Sequence, residues 1–568
     1  MADQKSGHPR GLYVLFATEM WERFNYYGMR AILILFMTKA LLFDKVFASN
    51  LYGSYTSLVY LTPLIGGYVA DRYWGNKKSI ILGGLLMAIG ELILFFCGSL
   101  YESNQSLSSL LFFCGLGFMI TGNGFFKPNI SSMVGQLYPQ NDRRIDPAYT
   151  IFYMGINVGG ALGPIACGLV GDTGSPADFK WAFLAAGIGM LLSVIIQKIY
   201  QDQYLVDPNG KPLGEIPKDA PKQVNNPLYI ILGLAALAAL MIGLLFVDAK
   251  VFSFLSYLLI GSLVLIGVLI FTDKTLTSIE KKKVLVIFTV SFFVVFFWSA
   301  FEQAGASLTF FADEQTDRSL GWNVPVWILY GLLGLLLFIL FRFYRSATKN
   351  LGADEKNLRT GAYVLLSLLA LGVLYAVFSL IKDGRSVIPV EEVPASLFQS
   401  LNSIFVVTFA PAFAWLWMKL GKYEPNSPAK MALGLLLLAL GYLWIAFGVQ
   451  NVQPGLKVSM VWLIVMYMLH TWGELCLSPI GLSLVNKLAP LKFASLLMAV
   501  WFLANAFANK LMGELSALYP DGKTTYFLGY KMETMYDFFM LFVIMSGIAA
   551  LLLFLLSRSL GKLMTAKS

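Results

Sequence analysis

Apolar stretches of about twenty residues, each long enough to cross the hydrocarbon of a bilayer as a helix, follow one another along nearly all of this 568-residue chain. They lie near residues 12–41, 51–71, 79–100, 107–133, 147–170, 179–198, 228–246, 251–272, 285–310, 325–343, 361–381, 398–419, 431–448, 458–482, 493–516 and 535–557, about sixteen in all. Inside a bilayer every peptide N–H and C=O has to be bonded within the protein, so an all-α polytopic membrane protein is expected. The 57% hydrophobic and 13% charged residues agree, because a soluble domain carries roughly twice that share of charge. With the N-terminus inside, the alternation puts about 28 Lys and Arg in cytoplasmic segments and about 9 in outer ones, and an even count returns the basic C-terminal tail to the cytoplasm. Removing any single span would carry Lys281, Lys282 and Lys283, or the loop with Arg342, Arg345, Lys349, Lys356 and Arg359, to the wrong side.

Several function classes fall away at once. The net charge of +9 is spread through short loops and forms no patch of the kind a nucleic acid needs. Cys97, Cys114, Cys167 and Cys476 sit inside apolar spans at spacings that match no metal site, so they read as small hydrophobes. The first span starts near Leu12, carries charges and is followed by no small-residue cleavage site, which excludes a signal peptide. No nucleophile stands with a base, no phosphate loop is present, and the polar segments are too short for a catalytic domain; neither enzyme chemistry nor a cofactor is expected.

Charge within the spans is then the informative signal. In the first span Glu19, Glu22, Arg23, Tyr26, Tyr27 and Arg30 share an arc of roughly 140° at 100° per residue. Each charge at such depth costs roughly 2.5–3.5 kcal/mol unless it is paired. Two acids with two cations a turn apart can pair while leaving one proton free to come and go. Lys39, Lys127 and Lys510 are the other cations within spans. Lys39 projects from the far face near the helix end and reads as snorkelling to the interface; Lys510 stays open between a structural and a functional role. Lys127 precedes Pro128, where a freed carbonyl and a cavity are expected, and Glu22 is its natural partner.

Polar residues at helical spacing recur downstream. Tyr153 and Asn157 lie one turn apart among Gly155, Gly159 and Gly163, whose small size suits close helix packing. Trp298 and Glu302, with Gln303 adjacent, then His470, Glu474 and Ser478, then Trp501, Asn505 and Asn509, repeat the four-residue interval. Stripes in both halves of the chain imply a wet cavity on a pseudo-two-fold axis near the midplane, bounded by aromatics and carrying both signs of charge, which would suit a zwitterion. The loop after the second span has Gly67, Asp71, Gly75 and Lys77 at a spacing that resembles the loop motif of the major facilitator superfamily. Charge pairs there can lock neighbouring helices in one conformation and release them in another.

Four groups of residues carry a more specific resemblance. Glu19-x-x-Glu22-Arg23-Phe24-x-Tyr26-Tyr27, Phe152-Tyr153-x-x-Ile156-Asn157-x-Gly159, Trp298-x-x-x-Glu302-Gln303 and Gly473-Glu474-x-x-x-Ser478-Pro479 together resemble the proton-dependent oligopeptide transporter family (POT/PTR2) of bacterial type. The resemblance covers nearly the whole chain. It implies a major facilitator fold of two six-helix bundles plus extra peripheral helix pairs, in the inner (plasma) membrane with both termini cytoplasmic. Residues 1–200 would form the first bundle, 201–227 a cytoplasmic linker and 228–272 an inserted peripheral pair. Residues 284–311 would be the first helix of the second bundle, 323–390 a second inserted pair and 396–560 the rest of that bundle. The second pair departs from the family, making sixteen spans where fourteen are usual. No His lies on the second span, unlike in animal members, so proton coupling would rest on carboxylates, with His470 the one intramembrane imidazole.

The function implied is symport of di- and tripeptides with protons by alternating access, driven by the proton gradient. By the same resemblance Glu19, Glu22, Arg23 and Glu302 would couple protons, while Tyr26, Tyr27, Arg30, Tyr60, Lys127, Asn157, Trp298, Glu302, Asn402, Glu474, Ser478, Trp501 and Asn505 would bind substrate. Arg30 and Lys127 would receive the peptide carboxylate, and Asn157, Asn402 and Glu474 the amino group. A same-fold carrier of nitrate or of a peptide-like drug, or a membrane-embedded sensor, are the alternatives, since a fold does not name a substrate. Nitrate carriers of this family tend to lack the full Glu-x-x-Glu-Arg set, which is complete here.

Overall fold

The computed structural model describes residues 7–139, 142–216, 226–251, 253–350, 363, 366, 367, 370–375, 377, 378, 381, 382, 384, 386–452, 455–477 and 481–565. Its first half consists of α1 (Arg10–Leu35), α2 (Lys45–Leu61), α3 (Pro63–Val69), α4 (Asn76–Leu100), α5 (Gln105–Gln136), α6 (Ile145–Gly171) and α7 (Phe179–Tyr204). A pair, α8 (Pro227–Lys250) and α9 (Phe254–Thr272), precedes α10 (Ser278–Phe301), α11 (Ser307–Glu314) and α12 (Val326–Asn350). The rest is α13 (Ser400–Leu420), α14 (Ser427–Val449), α15 (Met460–Leu477), α16 (Gly481–Leu488), α17 (Ala494–Ser516) and α18 (Met535–Thr565). The helix starts carry their own signals. Asp44 and Asn104 accept the backbone N–H of Phe47 and Leu107 at 2.9 and 3.0 Å, and Thr277 with Glu280 forms a reciprocal capping box on α10.

Twelve of these helices are long and apolar enough to cross a membrane, fewer than the sixteen spans expected. The four differences have separate causes. The first helix is diluted by the charges of its own polar stripe. The second span is broken at Pro63, which starts α3 after only 17 residues of α2. In α12 the apolar part is confined to Val326–Phe338, and most of the stretch near 361–381 lies outside the described residues.

In the first half α1 packs on α6 and α7, and α4 on α5 and α7; in the second, α14 packs on α15 and α18, and α10 on α17 and α18. The result is two all-helical bundles, as the resemblance to the major facilitator fold implies. They meet along α2 with α17 and α6 with α13. Two glycine contacts set how closely backbones approach. A Cβ on Gly53 of α2 would lie 2.7 Å from Gly513 Cα of α17, and one on Gly159 of α6 would lie 2.1 Å from Met20 O of α1. The second contact is within one bundle and seats α6 directly against the polar stripe.

The second insertion leaves and returns through a two-stranded antiparallel ribbon, β2 (Ser319–Pro325) with β3 (Val387–Glu392), in which Pro325 opposes Val387. Other strands are two-residue and three-residue pieces: β1 (Thr316–Asp317) beside β4 (Val458–Ser459), and the hairpin β5 (Thr525–Phe527) with β6 (Tyr530–Met532). Because the ribbon holds residues 325 and 387 as neighbours, joining them with Asn-Gly in place of 326–386 is expected to convert it into an ordinary hairpin. The shortened protein should insert and fold, since the described part of α12 outside the ribbon carries no charge into the bundle interior. A monodisperse, helical deletion variant in detergent checks this, and loss of the fold would refute it.

Candidate substrate and proton site

The stripe of α1 is buried as charge periodicity requires. Arg23 Nε lies 2.9 Å from Glu19 Oε1 and 2.5 Å from Glu22 Oε2, with all three side chains at most 2% exposed. The Arg23 guanidinium also lies over the rings of Tyr26 and Tyr27, at 5.5 and 6.0 Å. Asn123 of α5 donates to Glu22 Oε1 at 3.3 Å. Glu22 therefore makes its close ion pair with Arg23, and Lys127, its expected partner, acts on it only at longer range. Arg23 adjoins it in sequence and offers several donors in one fork, whereas Lys127 points its ammonium over the Tyr60 ring, 4.9 Å from the centroid.

One turn along, Arg30 crosses between the halves. Its guanidinium forms an ion pair with Glu302 and donates through Nε to the Tyr52 hydroxyl at 2.6 Å. Glu302 lies one helical turn after Trp298, as the spacing predicts, its backbone N–H reaching Trp298 O; α10 ends at Phe301 and Glu302–Gly305 continue as a tighter 3-10 turn. Tyr52 is a site residue the sequence did not single out, since nothing along the chain sets it apart from Tyr55 three residues on until α2 is folded beside α1. Tyr52→Phe removes one acceptor from Arg30 at a cost of about 0.5–1.5 kcal/mol, so uptake is expected to fall by roughly 2- to 12-fold with Glu302 still paired. Unchanged uptake would mean that this hydroxyl does not position Arg30.

The opposite charge gathers on α15. Glu474 accepts from Asn402 Nδ2 of α13 at 2.7 Å and from the Tyr153 hydroxyl of α6 at 3.4 Å, and Asn402 also reaches Thr471 Oγ1 at 3.2 Å. Asn157 donates to its own helix, to Tyr153 O at 3.0 Å, and Asn505 likewise to Trp501 O at 2.8 Å, leaving each amide its oxygen. Tyr27 and Trp298 are half-buried, and Trp501 is buried. Ser478 lies outside the described residues. His470 is buried, its Nε2 without a hydrogen-bond partner and its ring against Tyr442, 4.7 Å between centroids.

On the loop, Asp71 and Arg72 are exposed, Gly75 takes φ +72°, and Lys77 pairs with Asp202 of α7 at 3.0 Å. A Cβ on Gly75 would meet Glu215 O at 2.4 Å, and Lys77 N bonds Gly214 O, so the linker after α7 docks on this turn. A Cβ on Gly67 would sit 3.6 Å from Pro128 of α5. Lys39 does not simply snorkel: it reaches Asp313 of α11 at 2.7 Å, and with Lys45–Glu314 at 2.7 Å it ties the two halves on the side of the α2–α17 contact.

Three buried acids escaped the sequence reading. Asp172, after α6, accepts the N–H and hydroxyl of Ser396 at 3.1 and 3.0 Å; Glu91 of α4 is fully buried and takes Asn25 Nδ2 at 2.8 Å, and Asp248 of α8 pairs with Lys510 at 2.7 Å. Glu91 stands in a long apolar run, where the rule that an intramembrane carboxylate needs a reason would have singled it out, whereas Asp248 falls just past the expected span 228–246 and enters the membrane only because α8 runs on to Lys250.

A model of the POT family matches residues 77–381 and 384–534. The chain is 33% identical to the uncharacterized transporter YclF of Bacillus subtilis, over 92% of this chain and 90% of that one. It is 29% identical to a di-/tripeptide transporter of Lactococcus lactis, over 98% and 97% of the two chains. A crystal structure of a POT family transporter in complex with 5-aminolevulinic acid superposes with a TM-score of 0.73 at 28% identity, covering 98% of each chain.

Proposed function

This chain belongs to the POT family, and from that premise we propose that it imports di- and tripeptides together with protons by alternating access. It is a membrane transporter and not an enzyme. The single observation that carries the peptide reading is the separation of charge across the seam. Buried cations of the first bundle, Arg30 and Lys127, are matched by a buried acid of the second, Glu474, which is already hydrogen-bonded by groups from both halves. A short peptide has a carboxylate at one end and an ammonium at the other, so it can engage both signs of charge at once. In this reading Arg30 and Lys127 hold the carboxylate through charge-assisted hydrogen bonds. Glu474, with the oxygens of Asn402 and Asn157, takes the ammonium, while Tyr26, Tyr27, Tyr60, Trp298, Trp501, Asn505 and Ser478 surround the side chains.

Proton coupling rests on Glu302 with Arg30, and on Glu19 and Glu22 sharing Arg23. A peptide carboxylate arriving at Arg30 competes with Glu302, and a carboxylate released from its cation in a buried site takes up a proton. Protonation and substrate then bias one two-state equilibrium, which is the condition for uphill transport. The loop of Gly67, Asp71, Gly75 and Lys77 closes the side on which its Asp71 is exposed here. The driving force is the proton gradient across the inner membrane, with both termini cytoplasmic. The 5-aminolevulinic acid complex of a relative favours a second cargo class, small zwitterions that are not peptides. Proteoliposomes with an inward proton gradient and labelled dialanine test the reading: saturable accumulation, abolished by a proton ionophore and competed by dipeptides, is expected. Accumulation of 5-aminolevulinic acid with no uptake of dialanine would replace it.

A further inference from the structure

The inserted pair α8–α9 carries a charge that a purely peripheral hairpin has no use for. Asp248, near the end of α8, is 1% exposed and faces Lys510 of α17, 0% exposed, with Nζ 2.7 Å from Oδ2. The same Oδ2 accepts the hydroxyl of Ser54 on α2, and Lys510 Nζ also reaches Ser54 Oγ at 3.2 Å. Asp248 Oδ1 takes the backbone N–H of Leu255, at the start of α9, at 2.9 Å. One carboxylate thus gathers groups from the first bundle, the second bundle and both helices of the insertion.

The insertion also straddles the seam. Its α8 lies on α5 and α2 of the first bundle, where a Cβ on Gly117 would meet Ile242 Cγ1 at 2.3 Å. Its α9 lies on α17 of the second, with Ser256 Oγ donating to Glu514 Oε1 at 2.7 Å. Beside the cluster the backbones of the halves come close at Gly53 and Gly513, and Ser49 Oγ lies 3.1 Å from Ser516 Oγ. If the halves part on this side, Ser54 and Lys510 move away from each other, and Asp248 cannot keep both.

We propose that Asp248, Lys510 and Ser54 form a clasp through which the inserted pair holds the two bundles shut on the α2–α17 side, so that opening of the cleft requires the buried ion pair to separate or be rehydrated. The clasp rests on the alternating-access reading, and its residues are positioning residues that touch no substrate. A buried ion pair that stayed intact in both conformations would stabilise the fold but leave their ratio unchanged. A clasp instead moves that ratio. Removing one partner leaves the other charge unpaired only in the closed form, whereas removing both leaves none.

The test is a distance measurement between spin labels at Val46→Cys of α2 and Tyr526→Cys of the β5–β6 hairpin, both exposed, with Cys114→Ser because the other three native cysteines are buried. The parent is expected to show mainly the short distance. Asp248→Asn and Lys510→Met should each raise the ratio of long to short by about tenfold or more, and the double variant should return to within about threefold of the parent, the non-additivity of a direct pair. Ser54→Ala, which strands no charge, should shift the ratio the same way by about threefold; it decides the matter if both single charge variants fail to fold. Distances unchanged in Ser54→Ala and in every folded charge variant would overturn the clasp. Dialanine uptake is followed in parallel, because a parent that shows the shifts but moves no dialanine would remove the peptide reading and leave the clasp standing.

Discussion

Glu302→Gln is expected to abolish accumulation of dialanine against its gradient while sparing counterflow. Glutamine keeps the shape of a protonated carboxyl but neither pairs with Arg30 as an anion nor releases a proton. Accumulation needs a proton to be loaded in one conformation and discharged in the other; exchange of labelled for unlabelled peptide needs no net proton movement. Glu302 is the acid placed for this, because it comes from the second bundle and pairs with a cation of the first, so the pair senses both the halves' separation and an incoming carboxylate. Glu22→Gln is expected to act in the same direction through a different cation. It removes one of the two carboxylates on Arg23, while the glutamine amide oxygen can still accept from Asn123. Glu19 still satisfies Arg23, which leaves the variant foldable. Driven uptake and exchange measured in the same proteoliposomes separate the two outcomes. Full-strength driven uptake in both variants would place the proton elsewhere, with Glu474 and His470 next to examine.

Arg30→Ala is expected to lower dialanine uptake by roughly a hundredfold or more. The guanidinium is held by Tyr52 on one side and Glu302 on the other, aimed across the seam, and two charge-assisted hydrogen bonds to a carboxylate contribute about 1.5–3 kcal/mol each. At 1.4 kcal/mol per tenfold, even the lower figure for the pair exceeds a hundredfold. Alanine also leaves Glu302 buried without its cation, and the cell of water or protons that then satisfies it no longer responds to substrate. Arg30→Lys keeps the charge and loses the planar fork, so an intermediate loss is expected; equality with the parent would mean that only charge matters at this position. Glu474→Ala should lower uptake comparably from the other pole, since Asn402 and Tyr153 would lose their shared acceptor. Wild-type transport by either alanine variant would refute the two-pole assignment.

What was legible in the sequence follows from short-range physics. A helix in a bilayer has a fixed rise and period, so span lengths, the shared face of Glu19, Glu22, Arg23 and Arg30, and the membrane class of the protein could be read from one segment at a time. The loop asymmetry of Lys and Arg yields an expected orientation in the same local way, because insertion acts on each loop. Choice of partner is another matter. Glu22 could in principle pair with Arg23 or Lys127, and the difference lies in whether Lys127 turns toward Glu22 or toward the ring of Tyr60. That is settled only when α2, α5 and α1 are packed together. Arg30 meets Glu302 across 272 residues of chain only once the two bundles are packed together, and Lys510, undecided in isolation, finds Asp248, which falls just past the expected span 228–246. Periodicity specifies which residues share a face and which must be compensated. Only tertiary packing decides what compensates them, because a buried charge accepts whichever opposite group the fold brings within about 3 Å, from any distance along the chain.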